Sequence, residues 1–393
     1  VLAQSNLFSV ALQATAPAWF TALPYGEWVL LSSAQSMQSV SSGVAARTLT
    51  MPWIGAAVDQ SGKKFVIANP GGHNDGGSNA VYEFRLGDAT PNWYRTRVGT
   101  GVGMTDAANS VGVDGTGQPS NTHSYHRPLV ANGRFWLPGL DSAATSNGYW
   151  TTTTVSYDLS QTANGVWRSH GRMTLGAIPK WLGGSAAYDS INDRIFSFPQ
   201  QTDSGSGFYF NVSNVLAAAD TINGAVPGAT AIAMPSFGSW VFSASVFSAS
   251  LARLFMAFED SDTSAFAGIR SLQVNNLGAG WTSHTISGTT PFPVYSGGGF
   301  VRHESANRFY SHNSGGNAIR VLDVPNPVTG TWTGRSVTLG GATAPGTSSD
   351  NGSRGFSRFN IVQDMGNGEP CLLWYPTHTL AGMYVCRVPA AGL

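Results

Sequence analysis

Three histidines, an aspartate and an arginine make the densest chemical grouping in this chain. His73 and Asp75 belong to the run Gly71-Gly72-His73-Asn74-Asp75, and His123, His126 and Arg127 fall in a later segment. An imidazole beside a carboxylate can serve as a general base or as a pair of metal ligands. On that reading His73, His126 and Arg127 are the catalytic candidates, with Arg127 neutralising a substrate carboxylate, and His73, Asp75 and His123 are ligand contacts. The competing reading is structural, because His and Asp after a glycine doublet often hydrogen-bond the backbone of their own turn. His123 and His126 cannot share a face of one regular strand, since their spacing is odd. Tyr149, Trp150 and Trp181 flank long polar segments and offer flat faces to a sugar, although packing inside the fold is the commoner fate of such rings. Arg302, His303, Arg354 and Arg358 form a second possible grouping, an anion-attracting cluster with Arg302 and Arg354 as ligand contacts. No metal site and no cofactor are expected: a phosphate loop, a Ser-His-Asp elbow and a zinc-protease helix are all missing from the sequence.

These groups hang on a repeated phrase. A basic residue after a turn is followed by two bulky apolar residues in Lys64-Phe65-Val66, Arg134-Phe135-Trp136, Arg194-Ile195-Phe196, Arg253-Leu254-Phe255 and Arg308-Phe309-Tyr310. A period of about 55 to 70 residues belongs to repeat architectures, and each copy is followed by a further β-rich run, often led by Trp. The expected fold is all-β, a single β-propeller most simply of six four-stranded blades. Blades are placed at about 52–98, 123–170, 181–235, 240–286, 295–339 and 354–389, with an irregular outer part and a short helix in the third. The last blade lacks an outer strand, and Glu27-Trp28-Val29-Leu30-Leu31 has the aromatic-led look to supply it at about 27–32. Closing the ring in this way leaves no free sheet edge. Residues 1–24 then form an N-terminal arm ahead of the propeller at 25–393. Recurrence of the basic residue argues that it is scaffold, anchoring turns or neighbouring blades. Strand polarity puts the long b–c and d–a loops on one face, where a site is expected, and the short a–b turns on the other.

Composition narrows the function classes. The 393 residues carry 21 basic and 21 acidic side chains, so net charge is zero, and only 11% of residues are charged. Nucleic acid binding wants a clustered positive footprint, which is missing here. No stretch approaches the roughly 18 to 20 apolar residues of a membrane span. Val1-Leu2-Ala3 before Gln4 reads either as the remnant of a signal cleavage site or as a start that has lost its Met. Cys371 and Cys386 flank one hairpin, where they either bridge, if the register pairs them, or pack as free thiols.

Gly71-Gly72 at the end of a strand b, Val81-Tyr82 opening strand c, and the recurring Trp of strand d make the chain resemble the kelch and galactose-oxidase-like propellers, of the kind found in bacterial and phage structural proteins. The resemblance implies the fold; the copper centre of galactose oxidase, with its Tyr crosslinked to Cys, has no counterpart in the cysteine positions. The expected role is a non-enzymatic structural or binding protein, a phage tail appendage or decoration that presents a propeller face to other virion proteins or a host surface glycan, as a homo-oligomer. The alternative is a secreted carbohydrate-active enzyme, a polysaccharide lyase or hydrolase on the same kind of propeller.

Overall fold

The structure, a computed structural model, describes residues 15–41, 54–68, 79–99, 113, 118–119, 124–139, 153–161, 165–173, 184–199, 206–235, 240–260, 266–288, 299–312, 316–325, 328–341, 345 and 357–393. After a one-turn helix α1 (Ala18–Thr21) comes β1 (Val29–Ser32). β2 (Ala57–Asp59), β3 (Lys64–Ala68), β4 (Val81–Arg85) and β5 (Trp93–Arg97) form an antiparallel meander. β6 (Leu129–Ala131), β7 (Arg134–Leu137), β8 (Thr153–Asp158) and β9 (Trp167–Arg172) form the next, and β10 (Ser185–Asp189), β11 (Arg194–Phe198) and β12 (Gly207–Asn211) begin a third. Helix α2 (Val212–Ala217) follows, capped by the Asn211 side chain. Then β13 (Thr221–Ala225) joins β9 in parallel as a fifth strand of the second sheet, and β14 (Thr230–Ile232) completes the third. β15 (Trp240–Ser248), β16 (Arg253–Asp260), β17 (Phe266–Gln273) and β18 (Trp281–Ser287) form one meander. β19 (Gly299–His303), β20 (Arg308–His312), β21 (Ala318–Asp323) and β22 (Thr331–Thr338) form another. β23 (Phe359–Val362), β24 (Cys371–Trp374) and β25 (Gly382–Arg387) end the chain, with β1 paired antiparallel to β25 as the outer strand of that sheet.

The architecture is an all-β propeller. The innermost strands β2, β6, β10, β15, β19 and β23 pack each against the next, and β23 returns to β2. Six separate four-stranded sheets, the sequence expectation, are not what forms. Among the described residues there are five hydrogen-bonded sheets: three have four strands, one has five, and one has eight. The physical reason lies at the rim. β18 and β22 run in the same direction, and Thr285–Ser287 pairs with Thr331–Thr333, which fuses two meanders into one sheet. Gly288, at φ +124°, allows the approach, since a side chain there would collide with the Gly334 carbonyl.

The repeated phrase has a common backbone cause. Lys63, Asp193, Ala252 and Asn307 all adopt φ near +50°, as does Asn132 ahead of Gly133 at +69°. Each left-handed residue turns the chain out of an inner strand so that the basic residue opens the next strand. The side chains then reach forward. Lys64 Nζ donates to the Leu159 carbonyl (3.1 Å), Arg194 to the Val274 carbonyl (2.7 Å) and Arg308 to the Leu393 carbonyl (2.8 Å). All three acceptors follow the third strand of the neighbouring meander, so these residues are staples. The outer-strand tryptophans staple the other way: Nε1 of Trp93, Trp167 and Trp281 donates to the carbonyls of Gly382, Asn79 and Ala233.

Part of the segment expected as an arm packs on the ring. Phe20 is buried, Trp19 Nε1 donates to the Asp88 carbonyl, and Arg387 Nη1 donates to the Thr21 carbonyl. The cysteines are free and buried. Leu372 pairs with Cys386 and Cys371 with Arg387, so the two thiols point to opposite faces of the sheet and into different clusters of the core. No helix among the described residues is long and apolar enough to cross a membrane.

Candidate functional site

The inner strands surround a central cavity of about 510 Å³. Its wall is largely apolar: Ala56, Ala57, Ala131, Ala187 and Ala244 lie beside the larger Leu129, Phe300 and Phe359. Polar groups gather where the inner strands turn. There Gln60 Nε2 donates to the Ile361 carbonyl (2.8 Å), and Gln60 Oε1 accepts from the Gln363 amide (2.8 Å). Gln363 Nε2 donates to the Arg302 carbonyl, and its Oε1 accepts from the Glu304 amide. Glu304 Oε2 in turn accepts from the hydroxyls of Ser248 (3.0 Å) and Ser250 (2.6 Å). This belt joins four of the inner strands around the mouth, on the face of the short turns.

Two carboxylates line the cavity among the described residues, and both are engaged. Asp59 Oδ1 accepts from the Ser61 hydroxyl and from the amides of Ser61 and Gly62, which holds its own turn. Glu304 Oε1 lies 3.2 Å from Arg302 Nε. Arg302 is 2% exposed, its guanidinium lies over the Phe309 ring (5.2 Å), and it donates to Asn307 Oδ1. Burial draws its pKa down, while Glu304 opposes that.

The other sequence candidates fall in several places. His126 lines the far end of the cavity, where its Nδ1 accepts from the Ser357 amide (3.2 Å) and its carbonyl accepts from the Ala186 amide. Burial lowers its pKa to about 3, so it is a neutral imidazole with its proton on Nε2. Arg127 is buried beside it and donates to the Gly139 carbonyl, a backbone tie. Of the described members of the expected anion cluster, only Arg302 lines the cavity. His303 is buried between the Tyr310 and Ser305 hydroxyls, and Arg358 is buried and donates to the Pro376 carbonyl. His73, Asp75, His123, Tyr149, Trp150, Trp181 and Arg354 lie outside the described residues. No group of three or more His, Cys, Asp or Glu that could hold a metal ion occurs among the described residues.

One constellation escaped the sequence reading. In the five-stranded sheet Arg134 Nε donates to Ser156 Oγ (2.9 Å), and Ser156 Oγ lies 2.7 Å from His170 Nε2. In the eight-stranded sheet Arg253 Nη1 donates to Ser271 Oγ (2.9 Å), which lies 2.7 Å from His284 Nε2. Both imidazoles stack on a tryptophan, His170 on Trp136 (4.8 Å) and His284 on Trp332 (4.2 Å). The signal was present in the sequence as Trp167-Arg168-Ser169-His170 and Trp281-Thr282-Ser283-His284, the same Trp-x-Ser-His on two outer strands.

No family model matches the chain, and no curated protein matches it. Among solved structures, an alpha-L-arabinanase of Penicillium chrysogenum complexed with arabinobiose is similar at a TM-score of 0.50 and 9% identity, over 94% of this chain and 99% of that one. An alpha-L-arabinofuranosidase of Fusarium graminearum in complex with an iminosugar inhibitor is similar at a TM-score of 0.48 and 8% identity, over 93% and 98%. At such identity the first likeness shows the propeller fold alone, and the second carries no argument. Nothing in these similarities singles out the kelch or galactose-oxidase propellers.

Proposed function

We propose that this protein is a carbohydrate-acting propeller that takes a saccharide into its central cavity, with a polysaccharide hydrolase or lyase favoured over a particle component. We read each half of the eight-stranded sheet as one blade, which makes the ring six-bladed around that cavity. The observation that carries the proposal is the cavity itself: at about 510 Å³ it falls within the range of roughly 300 to 1,000 Å³ usual for small-molecule sites. Apolar walls with a few fixed amides and hydroxyls at the mouth suit a neutral sugar, which presents both CH faces and hydroxyls. A propeller arabinanase complexed with arabinobiose supports the same class.

The described residues supply binding more readily than turnover. Glycoside hydrolysis ordinarily uses two carboxylates on either side of the scissile bond, and Asp59 and Glu304 are both tied to the scaffold. His126, with a pKa of about 3, is a weak general base near neutrality. Turnover would therefore draw on His73 and the other sequence candidates outside the described residues. The test is incubation with a panel of polysaccharides, reading both retention on the immobilised glycan and new oligosaccharides by mass spectrometry. Products lost in His73→Ala establish the enzyme, and retention without products establishes a binding protein. Neither result, together with loss of co-assembly on deleting Val1–Pro24, returns the competing proposal of a virion component.

A further inference from the structure

Five basic residues open the second strand of successive meanders, and four of them have a carboxylate. Lys64 lies 3.4 Å from Glu83, Arg134 3.2 Å from Asp158, Arg194 3.0 Å from Asp189 and Arg308 2.5 Å from Asp323. Arg253 has no carboxylate partner among the described residues. The register shows why: Arg134 stands opposite Asp158 and Arg308 opposite Asp323, but Arg253 stands opposite Gln273.

Arg253 also faces open space. β18 and β22 begin to pair at Thr285 and Thr331, where β22 starts, so Trp281–His284 of β18 have no ladder partner on β22. The fork is a groove of about 610 Å³ lined by Arg253, His284, Thr282, Ser283, Thr285 and the 328–331 segment. Among the described residues no acidic side chain lines it; hydroxyls, one guanidinium and one imidazole do. The hydrogen bonds also orient the imidazole. Ser271 Oγ accepts from Arg253 and can give its own proton to His284 Nε2, an arrangement that leaves a proton on Nδ1 as a further donor. A partly buried cation without a counter-ion, surrounded by neutral donors, is a receptor for an anion.

We propose that this fork, on the short-turn face and apart from the central cavity, is an oxyanion site that takes a sulfate, phosphate or carboxylate group. Arg253 supplies the charge, and His284 with the threonine hydroxyls supplies the remaining donors. The group can arrive as a free anion or as a substituent of an acidic glycan, and the site stands whether or not the cavity binds a neutral sugar.

The test is calorimetric titration of the full chain with sodium sulfate, ionic strength being held constant with chloride. Arg253→Gln and Gln273→Asp are titrated in parallel. Gln273 is exposed, and Asp at that position recreates the pairing that Arg134 has with Asp158, so this variant keeps the cation and fills its need. Saturable binding is expected in the parent protein, weakened about tenfold or more in each variant, as loss of a charge-assisted contact requires. Unchanged unfolding midpoints show that both variants fold. A sulfated oligosaccharide that binds more tightly than inorganic sulfate, and more tightly than its desulfated form, assigns the glycan source; equal affinity for the free ion assigns the free anion. Absence of saturable binding in the parent, or binding that survives both substitutions, overturns the proposal.

Discussion

The five-stranded sheet and the β15–β18 half of the eight-stranded sheet contain the same Arg–Ser–His relay, and they differ in what lies around it. In the first, Asp158 pairs with Arg134, and β13 runs along β9 with Thr221 opposite His170, so His170 is buried; the serine is buried in both relays. In the second, the aspartate is replaced by Gln273, and β22 pairs with β18 only from Thr285 onward, reaching His284 through the Trp332 ring alone among the described residues. One glycine accounts for much of the difference. Gly171 follows His170 at φ +94°, and a Cβ there would lie 2.5 Å from the Gly224 carbonyl of β13. Thr285 follows His284 instead and starts the seam with β22. The comparison teaches that a polar relay is made structural by a counter-ion and a covering strand, and that removing both leaves a receptor.

Acid should separate the two relays most strongly. Burial, with the nearby arginines, lowers the pKa of His170 to about 3 and that of His284 to about 4. A depressed imidazole means that the unfolded chain binds the proton first, so stability is full above the unfolded value of about 6.5 and falls as pH drops towards the folded one. For His170 the loss between pH 7 and pH 4 should be about 3 kcal/mol. His284, open to the groove, should contribute less. Urea unfolding across that range should show a slope that His170→Gln removes in large part and His284→Gln only slightly; equal effects would erase the distinction.

Gly171→Val should come next, costing about 2 to 3 kcal/mol because it both strains a left-handed backbone and pushes β13 away. Hydrogen exchange should show β13 amides opening while β22 stays protected. Smaller still, Asp158→Ala should cost about 1 to 2 kcal/mol by leaving Arg134 buried without its partner, whereas Gln273→Ala should fall within about 0.5 kcal/mol. A Gln273→Ala cost equal to that of Asp158→Ala would mean that Arg253 is already satisfied.

The turns and staples were legible because they rest on local chemistry. Asn132-Gly133 and the basic residue after each turn report a left-handed backbone and a strand start, whatever the distant context. The all-β ring followed from their spacing, and Trp28 just ahead of β1 follows the same habit as Trp93 at the start of β5. The rim was not legible. Whether two outer strands pair across the seam depends on the close approach of Gly288 to Gly334, which no local sequence pattern marks. The relay was missed for a different reason: Ser156 with His170, and Ser271 with His284, are joined across strands, and only the recurrence of Trp-x-Ser-His hinted at it. The sequence singles out Arg127 beside His123 and His126, and Arg358 as part of an anion-attracting cluster, yet both are buried and tie backbone carbonyls.

The most direct test of the distinction between the sealed and the open relay is to follow the imidazole resonances of His170 and His284 through a pH titration, with and without sulfate. The account predicts that sulfate raises the apparent pKa of His284 above its starting value of about 4, by offsetting the Arg253 charge, and leaves His170 near 3. A shift common to both histidines, or none at His284, would contradict it.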